Sequence, residues 1–173
     1  MVIFMYYLNT FIFYSILGFM LETCISLIKH THFTSGILFG PWTPIYGIGS
    51  IVVIILSNYL FYNLHMPRWK ETIYAFFIIT IVLTLLEWVG GVLIEKTFHI
   101  VFWDYSKEAL SIGKYISVSK SLMWGIGSII FIYIIEPLLD DIINRVPTIV
   151  TFILTILIVI DYVVTFISKM KIK

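Results

Sequence analysis

VPTIVTFILTILIVIDYVVTFIS, residues 146–168, is a run of 23 residues whose one charged side chain is that of Asp161. A transmembrane helix needs about 20 mostly apolar residues to cross a hydrocarbon core of about 30 Å. Lipid offers no partner to open backbone N–H and C=O groups, so such a run must be helical if it crosses. The stretch therefore predicts a membrane-spanning helix.

The same pattern occurs along the whole chain. Apolar and aromatic residues make up 60% of the 173 residues and charged residues 12%, against about 25% charged residues in soluble domains. We predict a polytopic, all-α integral membrane protein, with residues 1–173 forming a single transmembrane domain. The five predicted spans are Val2–Ile28, Pro44–Leu64, Glu71–Ile94, Ile116–Leu139 and Val146–Ser168.

The orientation follows from Lys and Arg in the short loops, which favour the cytoplasmic side. With the N-terminus outside, the inner segments hold eight basic residues: Lys29, Lys96, Lys107, Lys114, Lys120, Lys169, Lys171 and Lys173. The outer segments then hold three, which are Arg68, Lys70 and Arg145. We therefore expect a multi-pass protein of the cell membrane, N-terminus outside and C-terminus cytoplasmic, with the longer loops 29–43 and 95–115 facing the cytoplasm.

Two segments of the sequence look alike. Gly18-Phe-Met-Leu-Glu22 ends the first span as Gly91-Val-Leu-Ile-Glu95 ends the third, and Tyr46 and Trp124 each begin an aromatic-Gly-Ile-Gly-Ser-Ile motif. These motifs predict a parallel duplication of a helical hairpin, a symmetry that some transporters use. Repeat 1 covers about residues 10–64, repeat 2 about 83–139, and the helix 146–168 is additional. The alternative is chance similarity between Ile- and Gly-rich spans.

Carboxylates inside apolar spans are costly and usually face a cavity or a partner. Those of this chain are Glu22, Glu87, Glu95, Glu136 and Asp161. Ser15 and Glu22 share one helical stripe with Gly18. Ser15, Glu22, Glu87 and Glu95 are the candidates to line or gate a substrate path, although Glu22 could equally bond to a neighbouring helix. For Asp161 we favour a structural hydrogen bond to a neighbouring helix.

The first long loop is too apolar for a free loop in water. Its segment 36–47 combines helix-breaking glycines and prolines with largely apolar residues. The motif residues are Gly40, Pro41, Pro44, Tyr46 and Gly47. We expect a re-entrant or interface-lying segment that is buried against protein.

The second long loop carries Trp103-Asp104-Tyr105-Ser106. Trp and Tyr favour the membrane interface, and Asp104 is placed to cap a turn by accepting backbone N–H bonds. The simplest interpretation is an interfacial anchor. Residues 107–120 alternate charged and apolar groups, so they could lie on the inner membrane surface or dock a partner.

Several kinds of site are not expected. His30 and His32 lack acidic or cysteine companions at ligand spacing, so we expect no metal site and no cofactor. The sequence has no Gly-x-x-x-x-Gly-Lys-Ser/Thr motif, so the chain does not bind ATP by a P-loop. It also has no basic patch for nucleic acid.

A set of motifs resembles a known family. They are Phe13-Tyr14-Ser15-Ile-Leu-Gly18-x-x-x-Glu22, Gly40-Pro-x-x-Pro-Ile-Tyr-Gly47-x-Gly49, Glu87 and Glu95 with Phe98, Trp103-Asp-Tyr-Ser106 and Trp124-Gly125. Together they resemble the CmpB-like family, named putative ABC-transporter type IV, from about residue 10 to residue 137. The resemblance implies a permease subunit that is driven by a separate ATPase. Thr34 and Ser35 stand where such proteins often carry Asn-Arg, and Ala109-Leu-Ser-Ile112 replaces an Asn-rich stretch.

Three functions remain open from the sequence. The leading one is a permease or permease subunit, oligomeric because five spans are few, in which Glu22, Glu87 and Glu95 line the path. A membrane-embedded enzyme acting on lipid would instead use Glu22, Glu95 and Asp104 as acid and base. In a non-catalytic assembly subunit, the polar residues would only join helices. The expected partners are membrane lipid, an ATP-binding subunit in trans and further copies or other subunits.

Overall fold

The computed structural model of the chain describes residues 2–28, 30 and 38–170. Within them, helices account for nearly all of the secondary structure. The helices are α1 (Val2–Ile28), α2 (Pro44–Leu64), α3 (Arg68–Phe98), α4 (Val118–Ile130), α5 (Glu136–Asn144) and α6 (Thr148–Met170). A π-helical turn, Phe131–Ile135, joins α4 to α5 without a break, so the two form one long helix.

Five helices of the described chain are long and apolar enough to cross a membrane, which confirms the predicted class. They are Ile3–Ile28, Pro44–Asn63, Arg68–Phe98, Val118–Asn144 and Thr148–Lys169. Large apolar side chains lie exposed along them, including Phe77, Ile81, Ile156 and Ile160. Apolar surface of this extent is incompatible with water and is what contact with lipid requires.

The first two helices have the predicted bounds, whereas the other three do not. The prediction for the third span, Glu71–Ile94, is too short, because α3 runs from Arg68 to Phe98. The predicted spans Ile116–Leu139 and Val146–Ser168 differ in another way, because the helices Val118–Asn144 and Thr148–Met170 both begin and end later in the sequence. Hydropathy detects only the part of a helix that crosses hydrocarbon, and backbone hydrogen bonding carries the helix on into the polar interface.

The described residues divide into two compact units. The terminal unit lies within Met1–Ile51 and Asp140–Lys173, and the central unit is Val52–Leu139. In the terminal unit, α1 packs against α6, with Ile12, Trp42 and Ile158 in its core. Asn9 of α1 accepts a hydrogen bond of 2.5 Å from the Thr151 hydroxyl of α6, a polar contact typical of membrane helix pairs.

The central unit is built on α3 packed against α4. Its core contains Val53, Leu60, Ala75, Ile79 and Leu83. The duplication of a hairpin at residues 10–64 and 83–139 stays a prediction.

A small β-hairpin is the exception to the predicted all-α class. Strands β1 (Ser111–Ile112) and β2 (Ile116–Ser117) are antiparallel, with Ser111 opposite Ser117. Gly113 has φ +67° in the connecting turn, a conformation that glycine adopts without strain. Two-residue strands are too short to produce a recognisable alternation in the sequence.

Candidate functional site

The carboxylate of Glu22 is bound inside the terminal unit. The Tyr46 hydroxyl, at the start of α2, donates a hydrogen bond to Glu22 Oε1. One turn earlier on α1, Gly18 lies directly against the Tyr46 ring, and any side chain at Gly18 would overlap that ring. The Gly18-x-x-x-Glu22 motif therefore binds Tyr46 in two ways. The tyrosine ring packs on Gly18, and the tyrosine hydroxyl donates to Glu22.

Ser15 lies one turn before Gly18 and is fully buried. Its backbone carbonyl accepts a 2.9 Å hydrogen bond from the Thr43 N–H, and its hydroxyl lies against Gly47. Neither Ser15 Oγ nor Thr43 Oγ1 has a hydrogen-bond partner among the described residues. Two buried hydroxyls without partners are unusual enough to mark this place as a candidate polar site.

Asp161 of α6 binds the loop that precedes α2. Its carboxylate accepts hydrogen bonds from the backbone N–H groups of Phe39 (3.0 Å) and Gly40 (2.8 Å) and from the Trp42 indole (2.6 Å). The Thr165 hydroxyl, one helical turn away, donates at 3.1 Å. The expected bond from Asp161 to a neighbouring helix is therefore wrong in its target, since the main partner is a loop.

The depth of this loop follows from those contacts. Ser15 is the fourteenth of the 27 residues of α1, and Asp161 is the fourteenth of the 23 residues of α6. Segment 38–43 thus contacts two span-length helices at mid-length, with Leu38 and Trp42 buried. A re-entrant segment requires contacts of this kind, with its backbone N–H groups satisfied by protein. Residues 36 and 37 of the predicted segment lie outside the described residues.

The motif glycines and prolines of this loop have distinct places. Pro44 is the first residue of α2, where its fixed φ suits the helix and its missing N–H costs nothing. The backbone N–H of Gly40 donates a hydrogen bond to the Asp161 carboxylate. Pro41 is exposed. Gly47 is buried against α1, where a Cβ would meet the backbone oxygen of Phe11.

Glu87 is the most enclosed carboxylate of the central unit, with 5% of its surface exposed. Its two oxygens accept hydrogen bonds from the Tyr105 hydroxyl (2.8 Å) and from the Trp124 indole N–H (3.0 Å). Tyr105 comes from the second long loop and Trp124 from α4. Glu87 thus joins the α3–α4 pair to the loop that connects them.

Glu95, two turns later on α3, binds the end of the same loop. Lys114 Nζ and the Tyr115 hydroxyl donate to its two oxygens, each at 2.7 Å. Burial and the Glu95 carboxylate raise the pKa of Tyr115 to about 12, and hydrogen bonding to Glu95 raises the pKa of Lys114. Tyr115 packs against Gly91, where a Cβ would lie 2.6 Å from its ring.

The Trp103-Asp104-Tyr105-Ser106 motif forms a capped turn. Asp104 Oδ1 accepts the Ser106 backbone N–H at 2.8 Å, which is the turn cap that the sequence predicts. Hydrogen bonds from the Ser106 side chain and backbone hold the pKa of Asp104 below its usual range. The Trp103 ring meets the edge of Tyr115, with 5.9 Å between ring centroids.

Residues 107–120 form a compact polar network around Glu108. Ser117 and Ser119 donate to Glu108 Oε2 at 2.7 and 2.9 Å, and Lys120 lies 3.3 Å from Oε1. The serine bonds hold the pKa of the Glu108 carboxyl below its usual range. The hairpin is therefore ordered by its own side chains, while Leu110 and Ile112 remain exposed.

The predicted site residues fall into two groups. Ser15 and Glu22 are on α1 of the terminal unit, and Glu87 and Glu95 are on α3 of the central unit. The structure pairs Glu22 with Tyr46 and Glu87 with Tyr105, all four of them predicted. Sequence reasoning missed the donors to the carboxylates, and no spacing in the sequence pointed to an aromatic partner. The missed donors are Trp42, Lys114, Tyr115 and Trp124.

Comparison with known proteins agrees with this architecture. The model of the family described as putative ABC-transporter type IV matches residues 9–168. The match covers nearly the whole chain and includes the last span, so the chain belongs to this family. No curated protein and no solved structure matches the chain.

Proposed function

We propose that this member of the ABC-transporter type IV family is a permease, or a subunit of one, that works with a separate ATP-binding subunit. Family membership and the five apolar helices support a role in membrane transport. The sequence has no P-loop motif, so ATP would have to be bound by another chain.

The observation that carries the proposal is the attachment of both long loops to carboxylates within the spans. Segment 38–43 is bound to Asp161, and the second loop is bound to Glu87 through Tyr105 and to Glu95 through Tyr115. A subunit that pulls on these loops would act directly on the buried carboxylates of Asp161 and Glu87 and on the partly exposed carboxylate of Glu95. Such bonds provide the physical link that coupling between ATP hydrolysis and a substrate path needs.

In the proposed mechanism, Ser15, Glu22, Glu87 and Glu95 line or gate the path. Movement of the loops would exchange aromatic donors for substrate or water at these carboxylates. Because five spans enclose little space, the working permease would be an oligomer. Most Lys residues lie in the segments that face the cytoplasm when the N-terminus is outside. This excess supports that orientation, with both long loops in the cytoplasm.

The first test is affinity purification of the chain in mild detergent from its native host, followed by mass spectrometry of the proteins that remain bound. We expect a stoichiometric partner with a P-loop motif, and the partner should be lost when the second loop is replaced by a Gly/Ser linker. Intact chain that purifies without such a partner would contradict the proposal.

The orientation has its own test. Cys24 is the chain's one cysteine, so a Cys24→Ser background makes single-cysteine labelling unambiguous. A membrane-impermeant maleimide added to intact cells should label Met66→Cys and leave Ser106→Cys unlabelled until the cells are opened. The reverse pattern would place the N-terminus inside.

A further inference from the structure

A cavity of about 220 Å³ lies in the central unit, far along α3 from Glu87 and Glu95. It is bounded by the end of α2, the start of α3 and the π-helical turn. Its walls combine apolar and aromatic side chains with a guanidinium, a carboxylate, an amide and hydroxyls. The lining residues are Ile54, Ser57, Asn58, Phe61, Arg68, Phe131, Ile132, Tyr133 and Glu136.

The π-helical turn gives this cavity its shape. Phe131–Ile135 makes wider i to i+5 hydrogen bonds, seen where the Glu136 N–H bonds to the Phe131 carbonyl. Such turns insert a residue into a helix, redirect the side chains around it and occur frequently at functional sites. Here the turn presents Phe131, Tyr133 and Glu136 to the same small space.

The cavity lies at the depth of a membrane interface. Tyr59 and Tyr62 near the end of α2 and Trp69 near the start of α3, the two helix ends that bound the cavity, are all strongly exposed. Exposed Tyr and Trp at the ends of apolar helices mark the level of lipid headgroups. The Lys70 ammonium stacks over the Trp69 ring, 5.3 Å from its centroid, as basic residues do at this level.

Arg68 is available for a ligand. Its nearest carboxylate, Glu71, is 3.8 Å from the guanidinium, too far for a bidentate pair, and the Arg68 side chain is 69% exposed. The guanidinium instead lies over Phe61, 5.4 Å from the ring centroid. A guanidinium held on an aromatic face keeps its edge free to bind phosphate oxygens.

We propose that this cavity binds the headgroup of a zwitterionic phospholipid. The Arg68 guanidinium binds the phosphate, and the Glu136 carboxylate binds the ammonium group. The rings of Phe61 and Tyr133 are tilted by 31° with 6.2 Å between their centroids, and they give the ammonium and the glycerol region an aromatic wall. The Thr72–Tyr133 hydrogen bond of 2.7 Å fixes that wall to α3. The site is distinct from the proposed transport path and does not depend on it.

The test is lipid binding to the purified, delipidated full chain, followed by native mass spectrometry. Phosphatidylethanolamine and phosphatidylglycerol with the same acyl chains are compared, because only the first carries an ammonium group. Wild type should prefer phosphatidylethanolamine. Arg68→Gln should weaken both lipids about tenfold, and Glu136→Gln should weaken only phosphatidylethanolamine, as loss of a charge-assisted bond predicts.

Controls separate the site from general effects. Arg145→Gln removes an exposed arginine outside the cavity and should leave both affinities unchanged. Circular dichroism checks that each variant keeps the fold. Arg68→Lys is the milder variant and should keep part of the phosphatidylglycerol binding. Equal binding of the two lipids by wild type, or a lipid preference unchanged in Glu136→Gln, would overturn the proposal. Displacement of lipid by free phosphoethanolamine at equal concentration would show a site for soluble zwitterions instead.

Discussion

The terminal and central units hold a carboxylate in the same way but enclose it to different extents. Among the described residues, Glu22 receives one bond, from Tyr46, and is half-buried, whereas Glu87 receives two bonds, from Trp124 and Tyr105, and is buried. Tyr46 and Trp124 each begin the motif aromatic-Gly-Ile-Gly-Ser-Ile. The additional donor of the central unit, Tyr105, comes from the second loop, so Glu87 binds a loop as well as a helix.

The first glycine of each aromatic-Gly-Ile-Gly-Ser-Ile motif packs on a longer helix in a similar way. Gly47 lies against Phe11 and Ser15, and Gly125 lies against Phe76 and Thr80. Aligned on these contacts, the stretches FIFYSILGFMLE (11–22) and FFIITIVLTLLE (76–87) place Glu22 at the same position as Glu87, whereas the predicted duplication, aligned on Gly-x-x-x-Glu, pairs Glu22 with Glu95. Glu22 and Glu87 correspond by what they bind, and Glu95 is a further acceptor for the second loop.

The largest expected difference between the units is at their paired glycines. A Cβ at Gly47 would meet the backbone oxygen of Phe11, which cannot move, whereas one at Gly125 would meet the side chains of Thr80 and Phe76, which can. Gly47→Ala should lower the free energy of unfolding by about 3 kcal/mol and Gly125→Ala by about 1 kcal/mol. Denaturant titration in detergent measures both, with Gly127→Ala, which meets open space, as the neutral control. Equal losses of unfolding free energy in Gly47→Ala and Gly125→Ala would contradict the expected difference between the two units.

The carboxylates provide the next test. Glu87→Ala leaves two donors without an acceptor in a buried place, whereas Glu22→Ala leaves one in a half-buried place. We expect Glu87→Ala to lower the free energy of unfolding by about 2 kcal/mol more than Glu22→Ala. Denaturant titration in detergent measures both losses, and a larger loss at Glu22 would show that the number of donors does not set the stabilising effect of the carboxylate.

A smaller effect is expected from the second donor alone. Tyr105→Phe removes one hydrogen bond to Glu87 and keeps the ring, at a cost of about 1 kcal/mol. Amide hydrogen exchange should increase in residues 103–108 and stay unchanged in α1. Faster exchange throughout the chain would mean that Tyr105 supports the whole fold rather than this attachment.

The smallest effect concerns pH at the hairpin. Serine hydrogen bonds lower the pKa of Glu108 in the folded chain. The stability that these bonds give the hairpin is therefore fully present above the ordinary carboxyl pKa of 4.5. It is lost as the pH falls through the lowered pKa of the folded chain. The carboxyl carbon resonance of Glu108 should titrate below pH 4.5, and Ser117→Ala should move that midpoint upward. A midpoint that Ser117→Ala leaves in place would assign the lowered pKa to Ser119 and Lys120 instead.

Much of the fold could be predicted from the sequence, because lipid imposes one requirement on every span. Hydropathy located all five spans and placed both ends of α1 and α2 correctly. The ends of α3 could not be found in this way, since Arg68 and Lys96 lie where helix continues beyond the apolar core. The β-hairpin was missed because side-chain bonds to Glu108 stabilise it, and short strands leave no periodic pattern.

The site was predictable only where its partners are close in sequence. Asp104 and Ser106 are two residues apart, so a turn cap is readable from the motif. Trp42 and Asp161 are separated by 119 residues, and no spacing rule connects them. Intramembrane carboxylates could therefore be recognised as important, but their partners required the three-dimensional structure.

In the proposed mechanism, the loops transmit the action of an ATP-binding subunit to carboxylates in the spans. The most direct measurement is ATP hydrolysis by the co-purified complex, reconstituted in lipid, with wild-type chain and with Tyr105→Phe. We predict that Tyr105→Phe keeps the partner bound, since its backbone turn is intact, and alters the rate of hydrolysis. A partner that is retained with an unchanged rate would contradict the claim and leave the Tyr105–Glu87 bond a purely structural one.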